Sequence, residues 1–238
     1  MNELVLLSGL LSDETPWSDV AARLTAALPV RIISFPNCGS LAEMAQRVLR
    51  EAPQRFALAG HSMGGRVALE VWRRAPHRIA ALGLLNTGVA ARRPEEIAGR
   101  ARLLKIAQEQ GMTALAAEWL PPMMAGPPAT AKQRTILQRL TRMVEGQTAA
   151  SFTAQIQALL NRPDAEPLLP TISVPTLLLS GREDTWSPVS QHVSMQRLIP
   201  GSALVEVANA GHMAPIEQPE AVADAVREHL IRVQDGER

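Results

Sequence analysis

Apolar positions along the chain fall into two patterns that take turns. Short, almost unbroken apolar runs at 4–8, 30–35, 56–60, 79–85, 175–180 and 203–207 have the length and composition of strands. Between them, 17–28, 41–52, 63–74, 189–198 and 219–233 have helical character, as where Val67, Leu69, Val71 and Trp72 give one apolar side. Alternation of this kind implies a parallel sheet covered by helices on both faces. It breaks once, between Leu85 and Pro175. There 93–110, 112–120, 130–145 and 148–160 read as consecutive helices without a strand, interrupted at Pro121-Pro122 and Gly126-Pro127-Pro128. The expected organisation is a core of 1–88 and 170–238 with a helical cap inserted at 89–169. No internal repeat or disordered linker is visible.

The strand at 56–60 runs straight into Gly60-His61-Ser62-Met63-Gly64, with Gly65 and a helical segment behind it. This order suits a sharp strand-to-helix turn that pushes the apex side chain, Ser62, clear of the sheet. At Gly60 and Gly64 a Cβ would collide with neighbouring backbone. A serine hydroxyl is a weak nucleophile at neutral pH, so an imidazole must take its proton and a carboxylate must orient that imidazole. Both occur downstream, each after a strand. The run at 175–180 ends in Gly181-Arg182-Glu183-Asp184, and that at 203–207 leads to Asn209-Ala210-Gly211-His212. Ser62, Asp184 and His212 are the candidate nucleophile, acid and base, with Glu183 the neighbouring alternative to Asp184. Charge developing on a carbonyl oxygen needs donors. The backbone N–H groups of Met63, after the nucleophile, and Leu10, after the first central strand, fit that role.

Taken together, these motifs resemble the α/β-hydrolase family of serine esterases, lipases and lactonases. The likeness covers nearly the whole chain, from Leu4-Val5-Leu6-Leu7-Ser8-Gly9 through the serine turn to Ala210-Gly211-His212-Met213-Ala214-Pro215. It implies an α/β-hydrolase fold with a reduced, mostly parallel sheet of about six strands, because the chain begins almost at the strand bearing the first loop. It also makes Asp184 the match to the family acid. At the other place where members carry that acid, this chain has Asn86-Thr87 and no carboxylate. One departure is local: the first loop reads Ser8-Gly9 where His-Gly is common. The activity implied is hydrolysis of carboxylic esters through an acyl-enzyme. A C–C hydrolase, an enol-lactonase or a lyase would use the same three residues, and a ligand-binding protein on a hydrolase fold is the contrasting class. Neither cofactor nor metal is implied.

Composition narrows the setting. A chain of 238 residues is within one-domain range, and burial of roughly 70–75% of its unfolded surface supports an unassisted core. The single cysteine, Cys38, has no disulfide partner and reads as a loop or packing residue suited to a reducing compartment. The apolar stretch from Leu4 to Leu11 is too short to span a bilayer and has no basic leader; cytoplasm is the expected location. A formal charge of +1, no tyrosine and three phenylalanines argue against nucleic-acid binding. Of the other histidines, His61 is expected to point away from Ser62, and His77, His192 and His229 to be surface or packing residues. A small ester substrate with an apolar part would meet Leu11, Trp119, Met123 and Trp186, and Met112, Leu115 and Met124 are further candidates; core packing explains each equally well. Arg92, Arg93 and Arg102 read as solvated cap residues, with a grip on a substrate carboxylate as the alternative.

Overall fold

The structure, a computed structural model, describes residues 3–231. Six strands form one sheet: β1 (Leu4–Leu7), β2 (Val30–Ile33), β3 (Phe56–His61), β4 (Ile79–Leu85), β5 (Thr176–Gly181) and β6 (Ala203–Val207). Every pairing is parallel and the order is β2-β1-β3-β4-β5-β6. β1, β3 and β5 are buried at every position, as strands covered on both faces must be. Side chains alternate between two cores. Leu4, Leu6, Ala57, Ala59, Leu177 and Leu179 face one core, where α1 (Ser18–Leu24) brings Val20 and Leu24 and α10 (Pro219–Val226) brings Val222 and Val226. Val5, Leu7, Leu58, Leu82 and Leu178 face the other, covered by α2 (Leu41–Glu51), α3 (Met63–Arg74) and α8 (Val189–Leu198).

The helix expected over 17–28 is shorter, ending at Leu24. That expected over 219–233 is α-helical to Val226 and widens into a π turn at Arg227–Ile231; its last two positions lie outside the described residues.

Between β4 and β5 come α4 (Glu95–Glu109), α5 (Gly111–Trp119), α6 (Ala131–Glu145) and α7 (Ala149–Leu160), with no strand among them. Local signals start two of them. Thr130 and Gln133 form a reciprocal capping box on α6, and the Thr148 hydroxyl accepts the Ser151 N–H on α7. Polar ties fasten this group to the sheet side: Arg139 to Asp19 and Ser18, and the Asn37 N–H to the Ser151 hydroxyl. The chain runs from β1 to β2 on one side and returns to β3 on the other, so the strand order reverses between β1 and β3. In open parallel sheets that reversal opens a crevice at the carboxyl ends of the strands.

Candidate active site

Ser62 is the single residue between β3 and α3, and its backbone takes φ 55° and ψ −118°. A side chain other than glycine rarely adopts this conformation, so the surroundings must hold it. They do so through the Ser62 N–H to the Leu85 carbonyl at 2.9 Å and the Thr87 hydroxyl to the Ser62 carbonyl at 2.7 Å. A Cβ at Gly60 would land on the Gly64 carbonyl, and one at Gly64 on the Leu7 carbonyl. Two glycines are therefore the condition for α3 to start this close beneath β1.

The loops after β3, β5 and β6 bring Ser62, Asp184 and His212 together. His212 Nε2 lies 2.8 Å from Ser62 Oγ, and Nδ1 lies 3.0 Å from Asp184 Oδ2. Asp184 is buried, and its Oδ1 accepts the N–H groups of Trp186 at 2.8 Å and Ser187 at 3.0 Å. Burial pushes this carboxyl up, but hydrogen bonds from His212, Asn86 and Ser187 outweigh it and hold the group well below the ordinary carboxylate range. An ionised Asp184 makes Nδ1 the donor. Nε2 is then the nitrogen free to accept the Ser62 proton.

Glu183 faces away from this chain. It is exposed, and its carboxylate accepts the Ala210 N–H at 2.9 Å. Asn86, at the alternative position of the acid, donates its amide to Asp184 Oδ2 at 2.9 Å and to the Gly211 carbonyl at 3.2 Å. His61 is buried and points its Nε2–H at the His212 carbonyl, 2.7 Å away. Burial, helped by the nearby His212, pushes the His61 imidazole down to about 3, so it stays neutral while bracing the loop that carries His212. His192 is fully buried, its Nε2 accepting the Thr87 N–H at 3.3 Å, and His77 is exposed.

The loop after β1 supplies the remaining polar groups. No acceptor among the described residues takes the N–H of Leu10 or of Met63, and both residues line the same cavity as Ser62 and His212. With Ser8-Gly9 in this loop, support comes from elsewhere: the Ser8 hydroxyl donates to the Asp13 carbonyl at 2.7 Å, and Gln155 of α7 accepts the Leu11 N–H while donating to the Phe35 carbonyl, both at 2.8 Å. Leu11 is a correction. With φ 53° and no exposed surface it packs into the core beneath α7, because the turn that leaves the Leu10 N–H free sends the next side chain inward.

Trp119, Met123 and Trp186 do line the cavity, which measures about 780 Å³. The Trp186 ring lies 5.8 Å from that of His212. Leu115 and Met124 are buried in the core, and Met112 packs against its edge. Arg93 and Arg102 line the cavity, joined by Arg66, Arg100 and Arg162, whereas Arg92 is exposed outside it. Cys38 is buried, and burial pushes its thiol up. Among the described residues no group of three His, Cys, Asp or Glu side chains is placed to hold a metal ion, and no helix is long and apolar enough to cross a membrane.

A six-stranded parallel sheet with a serine at a strand-to-helix turn, bonded through histidine to a buried aspartate, defines a hydrolase-type fold and site. The sequence model of the alpha/beta hydrolase family matches residues 4–225, and the chain belongs to that family. It is similar to the pimeloyl-[acyl-carrier protein] methyl ester esterase of Sodalis glossinidius, 29% identical over 91% of this chain and 89% of the relative. It is also similar to the 2-succinyl-6-hydroxy-2,4-cyclohexadiene-1-carboxylate synthase of Enterobacter sp. strain 638, 27% identical over 98% of this chain and 93% of the relative. Among solved structures, a malate-bound thermophilic esterase from Thermogutta terrifontis superposes with a TM-score of 0.83 at 28% identity, covering 96% of this chain and 89% of that one.

Proposed function

We propose that this protein hydrolyses carboxylic esters through an acyl-enzyme formed on Ser62. The observation that carries the reading is the unbroken hydrogen-bond chain from Ser62 Oγ through both nitrogens of His212 to ionised Asp184. As Ser62 Oγ attacks the ester carbonyl, His212 Nε2 takes its proton, and Asp184 stabilises the imidazolium that forms. The free N–H groups of Leu10 and Met63 then meet the oxyanion. Collapse of the tetrahedral intermediate expels the alcohol, which takes the proton from His212. Water repeats the sequence on the acyl-enzyme, releasing the acid and restoring Ser62. The helices at 89–169 form the cap in this reading, closing over Ser62 with Trp119 and Met123. Two similar proteins, a methyl ester esterase and a thermophilic esterase, support ester chemistry. A relative named as a synthase is the reason to assay other bonds beside it.

A panel of p-nitrophenyl esters of increasing acyl length, with lactones and thioesters assayed alongside, tests the reaction. Ser62→Ala is expected to lower ester turnover by several orders of magnitude with its thermal unfolding unchanged, since residues acting as one catalytic unit fail together. A serine-directed phosphonate should label Ser62. Labelling at another serine, or near-normal turnover by the variant, overturns the assignment; selective turnover of lactones would move the substrate class.

A further inference from the structure

The cavity beside Ser62 holds more positive charge than ester hydrolysis needs. Five arginines line it, at 66, 93, 100, 102 and 162, against three glutamates, at 95, 96 and 118. Most of these charges satisfy one another. Arg162 spends every guanidinium N–H on both Glu96 oxygens and the carbonyls of Ala90, Ala91 and Leu159. Glu96 also accepts from Arg100 and from the Arg93 backbone, and Arg102 pairs with Glu118.

Arg66 is different. Its Nη1 donates to the Ala90 carbonyl at 3.0 Å, but Nε and Nη2 have no acceptor among the described residues and remain open to solvent. Three local effects oppose a cation here. The residue sits in the first turn of α3, where the helix dipole presents partial positive charge. It is largely desolvated, and Arg162 is a like charge nearby; burial first and Arg162 second push its guanidinium down to about 9. The nearby Glu96 charge offsets part of this, but no carboxylate among the described residues is bonded to it. A side chain kept against its local electrostatics, one helical turn from Ser62 and lining the same cavity, has the marks of a ligand-binding group.

We propose that Arg66 anchors a carboxylate subsite, so that the substrate is the ester of a molecule that also carries a free carboxylate. The Nε and Nη2 edge of a guanidinium is a planar fork matched to the two carboxylate oxygens. One turn of helix separates Arg66 from Ser62, about 5 Å along the axis, a span that a few methylenes between ester and acid would bridge. The inference rests on the ester-hydrolase reading and narrows it to half-esters of dicarboxylic acids.

The test compares monomethyl glutarate and monomethyl adipate with the corresponding dimethyl esters, in wild type, Arg66→Met and Arg66→Gln. Wild type should favour the half-esters in kcat/KM by roughly 10- to 100-fold, the range of one charged hydrogen-bonded contact. Both variants should bring that ratio toward one, chiefly through KM, and should melt no lower than wild type because a partly buried cation without a bonded carboxylate has gone. A wild-type ratio at or below one, or a ratio that survives in the variants, overturns the proposal. Calorimetric binding of glutarate to Ser62→Ala separates the two claims. If neither ester is hydrolysed but glutarate binds and the added Arg66→Met change abolishes binding, the ester reading fails and the carboxylate site stands; absence of binding overturns the site.

Discussion

Two buried carboxylates flank His212, one on each side of its loop, and the molecule treats them in opposite ways. Asp184 follows β5 and Glu217 ends α9 (Ala214–Glu217); they are 3% and 4% exposed. Asp184 receives an imidazole, a side-chain amide and two backbone N–H groups, and is held low. Glu217 receives two backbone N–H groups, from Ala125 and Gly211, each at 2.8 Å. Burial pushes it up, those two bonds pull against the shift, and the charges of Glu183 and Asp184 add to it. Equal burial thus gives shifts in opposite directions, decided by the number and kind of donors. The consequence is a division of labour. Asp184 keeps its charge where the proposed mechanism forms an imidazolium, whereas Glu217 joins the 123–125 segment to the loop bearing His212, alongside the bond from the His212 N–H to the Met123 carbonyl at 2.7 Å.

The largest effect expected from this contrast is at Asp184. Asp184→Asn preserves the shape of the site but offers an amide where Nδ1 needs an acceptor, favouring the wrong tautomer. A fall in kcat of up to about four orders of magnitude is the expected result, on the precedent of well-studied triads. Steady-state kinetics on one activated ester measures it, and a loss below tenfold would remove Asp184 from the proposed mechanism.

Much of this half of the contrast is legible in the sequence. Asp184 and His212 each follow a buried strand whose apolar run announces it, and Ser62 sits in a glycine-marked turn, so short-range patterns suffice. The six strands and the four consecutive helices are visible for the same reason. Glu217 has no such signature. It lies near His212 in a segment expected only as loop and helix, and its partner Ala125 is 92 residues away. The bonding roles of Asn86 and Gln155 are hidden likewise, because their bonds to Asp184 and Leu11 span 98 and 144 residues. Leu11 misleads for the converse reason: adjacency to Leu10 suggests a shared wall, but a positive φ turns the two in different directions. Local pattern reveals which groups could do chemistry; the polar contacts that hold them come from the tertiary fold.

At Glu217 the expected effects are intermediate. Glu217→Gln replaces one acceptor with an NH2 group facing a backbone N–H, at a cost of about 1–3 kcal/mol for a buried polar group left unpaired. Chemical denaturation would read this directly. Displacement of the His212 loop should lower kcat by up to roughly 100-fold, with KM changed less.

The two carboxylates should also leave opposite marks on stability against pH. The depressed Asp184 contributes stability above its ordinary value of 3.8, lost as pH falls through the folded-state pKa. The raised Glu217 works the other way: above its ordinary 4.5 the folded protein holds the proton more tightly than the unfolded chain, so stability falls as pH rises through the raised pKa. The buried His61, held down at about 3, makes stability rise with pH in both proteins, so the mark of Glu217 is in their difference: the urea midpoint of wild type minus that of Glu217→Gln should fall as pH rises from about 4 to about 8. An unchanged slope in the variant would mean that Glu217 is ionised throughout, as Asp184 is.

The smallest effect belongs to Glu183, which sharpens the comparison because it is next to Asp184 in sequence and acts on Glu217 through charge. Its exposed carboxylate accepts the Ala210 N–H and makes no bond to His212. Glu183→Gln keeps an oxygen for Ala210, so stability should change by no more than about 0.5 kcal/mol and turnover should stay near the wild-type rate. What it removes is one of the negative charges that help raise Glu217. The fall in urea midpoint due to Glu217 should consequently level off at slightly lower pH, and be slightly smaller, in Glu183→Gln than in wild type, an effect that added salt reduces. A large loss of turnover instead would place the working acid at Glu183 and reverse the assignment of the two neighbours.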